Sequence, residues 1–462
     1  MIMDVMEIMR GPGLWWSGLG QVEPRPALIR DGAADVVIVG AGLTGLWTAY
    51  YLRAVAPELS VVVLERELAG YGASGRNGGW CSGELPSGPG GFLGRHGRDA
   101  AVAMQRAAFA TVAEVQRVAA AEGIDCRMRR GGTRLLALNH AQAGRLSRLV
   151  QQRRALGFGP EDYRLLDRAE TIRHIAVPDA VASLFTPHCA TLDPVRLARG
   201  LATAVERRGG VIHERTPVHA VDGGRVRAGD AVIEGGVVVL ATEAYTCGLP
   251  GARRRVAPIH SHMIATEPLP ADVWRRLGWD DGAAVADQRW HFAYLQRTAD
   301  DRIAVGGRGI SYGFGSRVSP HRDHAPAIWR RLYASLVSLF PRLAGVTVTH
   351  RWGGPLALAR SLEPAAGLDR RRRLAWAGGY GGDGVAMSNL AGRTLAHLIA
   401  GVDASETRLP WVGGFGRRWE PEPLRWLGIQ AGSALAHAAD LFEDRTGRRL
   451  PVVGRLLEAA LG

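Results

Sequence analysis

Asp35-Val36-Val37-Ile38-Val39-Gly40-Ala41-Gly42-Leu43-Thr44-Gly45 is the stretch on which the reading of this chain turns. The four β-branched residues after Asp35 form the unbroken apolar run of a strand buried on both faces. Residues 44–55 predict a helix that ends near Pro57, and Val61-Val62-Val63-Leu64 predicts a second strand closing at Glu65. The glycines stand where a dinucleotide-holding βαβ unit needs them. Gly40 allows a tight turn, Gly42 lets backbone approach a pyrophosphate, and Gly45 permits close packing of helix on strand. The helix start, with Leu43 and Thr44, offers unpaired N–H groups and partial positive charge to phosphates. Glu65, twenty residues after Gly45, can accept hydrogen bonds from an adenosine ribose, and Arg66 follows it. A bare GxGxxG is a weak signal; strand, helix and acid together make it a dinucleotide fingerprint.

Two further glycine-rich loops favour FAD over NAD as that dinucleotide. Gly72-Ala73-Ser74-Gly75-Arg76-Asn77-Gly78-Gly79 follows the second strand directly, with polar side chains able to run along a pyrophosphate and a flavin's polar edge. Its competing reading is an ordinary surface loop. Gly378-Gly379-Tyr380-Gly381-Gly382-Asp383-Gly384-Val385 lies between a strand at 374–377 and a helix at 390–399. A helix start at the flavin pyrimidine would stabilise charge arising on N1 and C2=O during reduction. Asp383 either contacts flavin or substrate amine, or caps that helix.

The rest of the chain bounds the answer. Its 462 residues are enough for one or two full cores, and 47% hydrophobic with 22% charged residues is ordinary globular composition. No apolar run reaches the roughly 18 residues of a bilayer span. The first ten residues carry Asp4 and Glu7 and lack a secretory pattern, so a cytoplasmic location is expected. Cys81, Cys126, Cys189 and Cys247 lie far apart, which predicts buried thiols and no structural metal site. All 57 basic residues are arginines, against 44 acids, for a net charge of +13. Lysine chemistry is thereby excluded, Schiff bases included. The clusters at 253–255 and 370–373 are short and not interleaved with aromatics, so a solvated face is expected and no nucleic-acid partner.

Parallel-strand and helix units alternate with stretches of antiparallel character, which predicts an α/β (overall α+β) chain with a nucleotide domain built from separated segments. We divide it into an N-terminal extension (1–33), a discontinuous FAD-binding domain (34–85, 190–255 and 345–403), an inserted substrate domain (86–189 and 256–344) and a C-terminal tail (404–462). Trp15 and Trp16 are expected to dock on the body. The tail, with Trp411, Trp419 and Trp426, either covers the body or faces a partner.

The chain resembles the D-amino-acid oxidase superfamily of FAD-dependent amine oxidoreductases. Within it the resemblance is strongest to the subgroup of gamma-glutamylputrescine oxidoreductase and the aminophosphonate oxidoreductases. It rests on 35–65, 72–79, Thr191-Leu192-Asp193-Pro194, 240–246, 264–270, Arg351-Trp352-Gly353-Gly354, 378–385 and Pro421-Glu422-Pro423-Leu424-Arg425, in the expected order from about residue 14 onward. The resemblance implies a glutathione-reductase-like FAD domain and an antiparallel substrate sheet over the flavin. It implies hydride removal from a carbon bearing an amine, giving an imine that hydrolyses. By position, 74–77 would lie along the flavin, Gly382, Asp383, Gly384 and Val385 at its pyrimidine end with Gly379 nearby. Thr242 would lie near the pyrophosphate and Val218 would present backbone to the adenine. Putrescine-type members carry GHGV where this chain has Gly382-Asp383-Gly384-Val385, which points away from glutamylputrescine. No cysteine or histidine stands where covalently flavinylated relatives have one, so non-covalent FAD is expected. Relatives that use a lysine to assist reaction with oxygen have no counterpart here, so an arginine or histidine serves or oxygen is a poor acceptor.

Candidates for the chemistry itself are Arg360, His262, Tyr294 and Trp352. Arg360 could hold a substrate carboxylate or phosphonate in a fork, or form a structural salt bridge. His260 and His262 share one strand face, as do Phe292 and Tyr294. Each histidine belongs either to a pocket or to an ordinary core. Trp352 packs near the isoalloxazine or serves as plain core. The expected activity is oxidation of a CH–NH bond in a small amine, amino acid or aminophosphonate, with oxygen or another acceptor taking the electrons. The alternatives are a tRNA-modifying amine oxidase, an NAD(P)H-dependent flavoprotein reductase and a non-catalytic flavin-binding protein. Oligomeric state is left open.

Overall fold

The computed structural model describes residues 13–450 and 453–454. The decisive stretch folds as read: strand β1 (Gly32–Val39), helix α1 (Leu43–Val55) and strand β2 (Val61–Leu64), with β1 and β2 parallel. These strands sit inside an eight-stranded sheet. Its main order is Ala365–Asp369, Leu374–Gly378, Ala231–Leu240, β1, β2, Val211–His213. The four strands from Leu374–Gly378 to β2 are parallel to one another.

Helix α1 is buried on almost every side, from Leu43 to Leu52. It lies between the sheet and a second helix, Gly384–Ala400, whose Gly392 allows the close crossing. A Cβ there would stand 2.5 Å from Trp47 Cβ. Burying Leu46, Trp47 and Leu52 contributes about 1.5–3 kcal/mol each, which is why the helix does not depend on its own propensity.

A second eight-stranded sheet runs Val348–Ala359, Val256–Thr266, Ile303–Tyr312, Ala293–Arg297, Ala284–Asp287, Thr133–Ala137, Ala182–Thr186, Arg164–Asp167. It is antiparallel except where Ala284–Asp287 meets Thr133–Ala137. The strand Val348–Ala359, grouped by the sequence with the nucleotide segments, pairs along its length with Val256–Thr266 in this second sheet. Its alternating inward face is what the sequence division lacked, since pairing partners are chosen by distant residues.

Trp15 and Trp16 dock as expected: Trp16 is fully buried and the Trp15 indole N–H donates to the Asn77 carbonyl at 2.8 Å. Trp411 is buried as well, and the Trp419 indole donates to the Leu358 carbonyl. The tail also contains a long helix, Leu424–Thr446, that the sequence reading did not identify. All four cysteines are buried free thiols. Among the described residues no helix is long and apolar enough to cross a membrane.

Candidate active site

The carboxyl ends of the parallel strands and one face of the antiparallel sheet border a continuous, partly open cavity of about 1470 Å³. Its nucleotide end is shaped by missing side chains. Gly40 has φ +104°, and a Cβ on it would stand 2.7 Å from the Ala241 carbonyl oxygen; one on Gly42 would stand 2.9 Å from Ser74 Oγ. Gly45 does not line the cavity and packs against the Gly40 carbonyl, as its assigned role requires. Helix α1 has no side-chain cap and no acid in its first turn, so its positive end faces the cavity. The Leu43 N–H donates to Ser74 Oγ at 2.8 Å, joining the first loop to the second.

Glu65 accepts from the Ala41 N–H at 2.8 Å and from the Glu67 N–H at 3.0 Å. Each carboxylate oxygen keeps a lone pair for a ribose hydroxyl. Burial pushes its pKa up, and the two amides oppose that shift. Arg66 lies over the Tyr245 ring, 4.9 Å from its centroid. Gly72, Ala73, Ser74, Arg76, Asn77 and Gly78 line the cavity, as do Thr44, Val218 and Thr242. Gly79 stands behind them, where its φ of +71° turns the chain. Asn77 holds the loop's shape by donating to the Ala73 and Ser74 carbonyls and accepting from the Gly79 N–H.

The late loop arrives from the opposite side. Gly382, Asp383, Gly384 and Val385 line the cavity, whereas Gly379 sits behind them. Helix Gly384–Ala400 starts six residues earlier than expected, and Asp383 occupies its cap position without making a cap hydrogen bond. Thr44 Oγ1 and Tyr380 Oη lie 2.9 Å apart, tying the two glycine loops together. Bare backbone, an uncapped helix start and a placed ribose acceptor together fit an FAD.

Sequence reasoning missed the side chain that holds this loop. Glu243 accepts from the Gly379 N–H at 3.0 Å and the Ala357 N–H at 3.2 Å, joining the late loop to the antiparallel sheet. It adopts φ +44° to do so, and burial pushes its pKa up to about 7. The signal was thin: an acid directly after a buried strand. Glu243→Ala leaves two amides without their acceptor, at about 1–3 kcal/mol each. The variant is expected to melt earlier and to lose FAD on gel filtration, both measurable beside the wild type.

Three catalytic candidates do not reach the cavity, which is a correction of the sequence reading. His262 points to the other face of its strand and bonds the Arg322 carbonyl at 2.8 Å, and Ser261 between the two histidines is the cavity residue. Burial pushes His260 down to about 4 and lowers His262 too, so both rings are neutral at pH 7. Arg360 is the salt-bridge alternative, on Glu420 at 3.0 Å and half exposed. Trp352 is core: it packs with Trp15 and Trp16, and its indole donates to the Arg76 carbonyl at 2.9 Å. Tyr294 does line the cavity, with its ring against Gly78 and edge-on to Trp80 at 5.7 Å.

Arg76 is almost fully buried and spans the two halves of the site. It pairs with Asp323 at 2.7 Å, donates to the Tyr71 and Gly353 carbonyls, and lies over the Tyr71 ring. Burial raises Asp323 to about 6 in spite of that arginine. Cys247 also lines the cavity, but its thiol donates to the Ala244 carbonyl and burial pushes it up to about 11, which disfavours the thiolate that a flavin bond needs. Acid precipitation is therefore expected to leave the yellow chromophore in the supernatant; colour in the pellet would contradict this.

A parallel nucleotide sheet whose glycine turn opens into a cavity shared with an antiparallel sheet defines a dinucleotide-dependent enzyme. The chain belongs to the FAD dependent oxidoreductase family (DAO), whose profile matches residues 35–398, and FAD is its cofactor. It is 30% identical over 387 residues to the probable oxidoreductase OrdL of Haemophilus influenzae, covering 82% of this chain and 85% of that one. It is 31% identical over 373 residues to gamma-glutamylputrescine oxidoreductase of Escherichia coli, covering 79% and 84%. Similar folds occur in the solved structures of L-proline dehydrogenase from P. horikoshii (TM-score 0.67, 19% identity, 83% of this chain and 96% of that one) and glycine oxidase from Geobacillus kaustophilus (0.67, 20%, 80% and 96%). The protein is an FAD-dependent oxidoreductase of the amine oxidase and dehydrogenase kind.

Proposed function

We propose that the enzyme oxidises a CH–NH bond in a small amine, amino acid or aminophosphonate. The carbon gives up a hydride, the nitrogen releases a proton to solvent, and the resulting imine hydrolyses to a carbonyl and a free amine. Bound FAD supplies the two-electron acceptor at N5. The observation that carries this reading is one continuous cavity joining the nucleotide loops to an aromatic wall of Trp290, Phe292 and Tyr294. Its volume exceeds the few hundred to 1,000 Å³ usual for a small-ligand pocket, leaving room for a substrate beside a large cofactor.

The chain's own part is placement and exclusion of water. Gly78 against the Tyr294 ring fixes the flavin loop to the substrate wall. Hydride transfer asks for a carbon held about 3–3.5 Å from the acceptor, and such packing supplies that order. Burial against the Trp290, Phe292 and Tyr294 rings would disfavour the ammonium form and so favour the neutral amine that can react. Neither His260 nor His262 acts as a base in this scheme, since neither faces the cavity. The relatives named for gamma-glutamylputrescine, L-proline and glycine support an amine substrate without selecting one.

The test is an anaerobic screen of amines and amino acids, following loss of flavin absorbance. Bleaching by a small amine and none by NADPH is expected. Rapid bleaching by NADPH with no response to any amine would overturn the reading. Admitting air to the photoreduced enzyme then separates oxidase from dehydrogenase.

A further inference from the structure

The family match ends at residue 398, yet the helix Leu424–Thr446 beyond it packs behind two residues of the cavity wall, Trp290 and Arg145. Its Ala436 and Ala439 pack against Trp290. Asp440 accepts the backbone N–H groups of Trp290 at 2.7 Å and His291 at 2.9 Å. Glu443, on the same helix face, takes Arg145 Nη1 with both carboxylate oxygens at 2.7 Å and receives the Trp290 indole N–H at 3.4 Å. The Arg145 guanidinium in turn lies over the Trp290 ring, 4.7 Å from its centroid.

Trp290 and Arg145 both line the cavity, whereas Asp440 and Glu443 stand behind them, 6% and 1% exposed. Dry carboxylates with two donors each hold those donors tightly, because a buried charge left unpaired is costly. Arg145 thus faces the cavity with its charge balanced.

We propose that Asp440 and Glu443 are positioning residues for substrate selection: from outside the family's shared core they set the place of Trp290 and the net charge of the wall at Arg145. This rests on reading the cavity as the amine site. Glu443→Gln frees the Arg145 charge, and Asp440→Asn removes an acceptor from the amides flanking Trp290.

The experiment uses holoenzyme and four probes: glycine, L-proline, putrescine and 2-aminoethylphosphonate. Anaerobic flavin reduction against concentration gives an apparent Kd and a limiting rate for each. In E443Q the ratio of putrescine Kd to 2-aminoethylphosphonate Kd is expected to rise about tenfold, with limiting rates within threefold and FAD affinity unchanged. D440N is expected to weaken all four probes. Trp290→Ala, which leaves the helix acids in place, must alter the rank order of the probes. Wild-type ratios and rank order in these variants would overturn the inference. If no probe reduces the wild type, the proposed function is judged by the wider amine and NADPH screen, and iodide quenching of bound-flavin fluorescence decides the inference instead. A quenching constant at least doubled in E443Q supports it, and an unchanged one overturns it.

Discussion

Gly45→Ala is expected to yield a protein that retains less than a tenth of the wild-type FAD after purification and unfolds with about 3 kcal/mol less free energy. A Cβ on Gly45 falls inside the van der Waals shell of the Gly40 carbonyl oxygen and 3.1 Å from Ile38 Cγ2. Neither neighbour can swing aside. The oxygen is backbone, and Ile38 lies in the central strand, fully buried. Helix α1 must therefore lift from β1, carrying with it the amides that face the phosphates. Overpacking of this kind costs about 1–3 kcal/mol, occasionally more. Loss of the cofactor removes a second increment, because a ligand that binds only the folded state stabilises it by RT ln(1 + L/Kd) at free ligand concentration L. Gly428→Ala is the control: a Cβ there meets nothing within 4 Å, and it sits in a helix. That variant is expected to match or slightly exceed the wild type. Calorimetry of apo and holo forms, with flavin content from absorbance, measures both. A Gly45→Ala protein that is yellow and melts with the wild type would remove the basis for reading this turn as the nucleotide cradle.

The second large effect belongs to Arg76. Replacing it by Met leaves the Asp323 carboxyl without its cation, in a site where that side chain is 24% exposed. Breaking a buried pair costs about 3–5 kcal/mol; partial exposure reduces this to about 2–4. The loss depends on pH. Asp323 already has its folded pKa raised to about 6 by burial, so folding favours its protonated form. Its stabilising share is complete below the ordinary carboxylate range and is lost as pH rises through about 6. Removing Arg76 takes away the attraction that opposes burial, so that loss extends to higher pH. The gap between R76M and wild type should accordingly be larger at pH 8 than at pH 5.5. R76M/D323N should recover most of the pH-dependent part. The lost bonds to the Tyr71 and Gly353 carbonyls remain as a pH-independent deficit. Urea unfolding of both single variants and the double variant at the two pH values completes the cycle. Equal deficits at both pH values would show that the ion pair contributes little.

The two predictions differ in how far their basis could be read in advance. Gly45 was legible because everything it touches lies within a few residues along the chain. Strand period, glycine spacing and the acid at 65 are local signals, and local signals survive without a structure. The loops 72–79 and 378–385 were legible as loops for the same reason. Their meeting through Thr44 and Tyr380 was not, since 336 residues separate the two hydroxyls.

The site's supporting residues mark the same boundary. The sequence by itself carried the expectation of a dinucleotide on the turn from Val39 into Thr44, because three spaced glycines, a buried strand before them and an acid closing the next strand are all local signals. Only the tertiary structure decided which side chains surround it. In Val256–Thr266, alternate residues face opposite ways, so sheet packing turned Ser261 to the cavity and His260 and His262 away from it. Arg76 with Asp323, Glu243 with Gly379, and Arg145 with Glu443 each join segments more than a hundred residues apart. Such pairs carry no periodicity, and a charge that will be buried beside its partner looks in sequence like any solvated one. Their identity is set by which faces two sheets and a tail helix bring together.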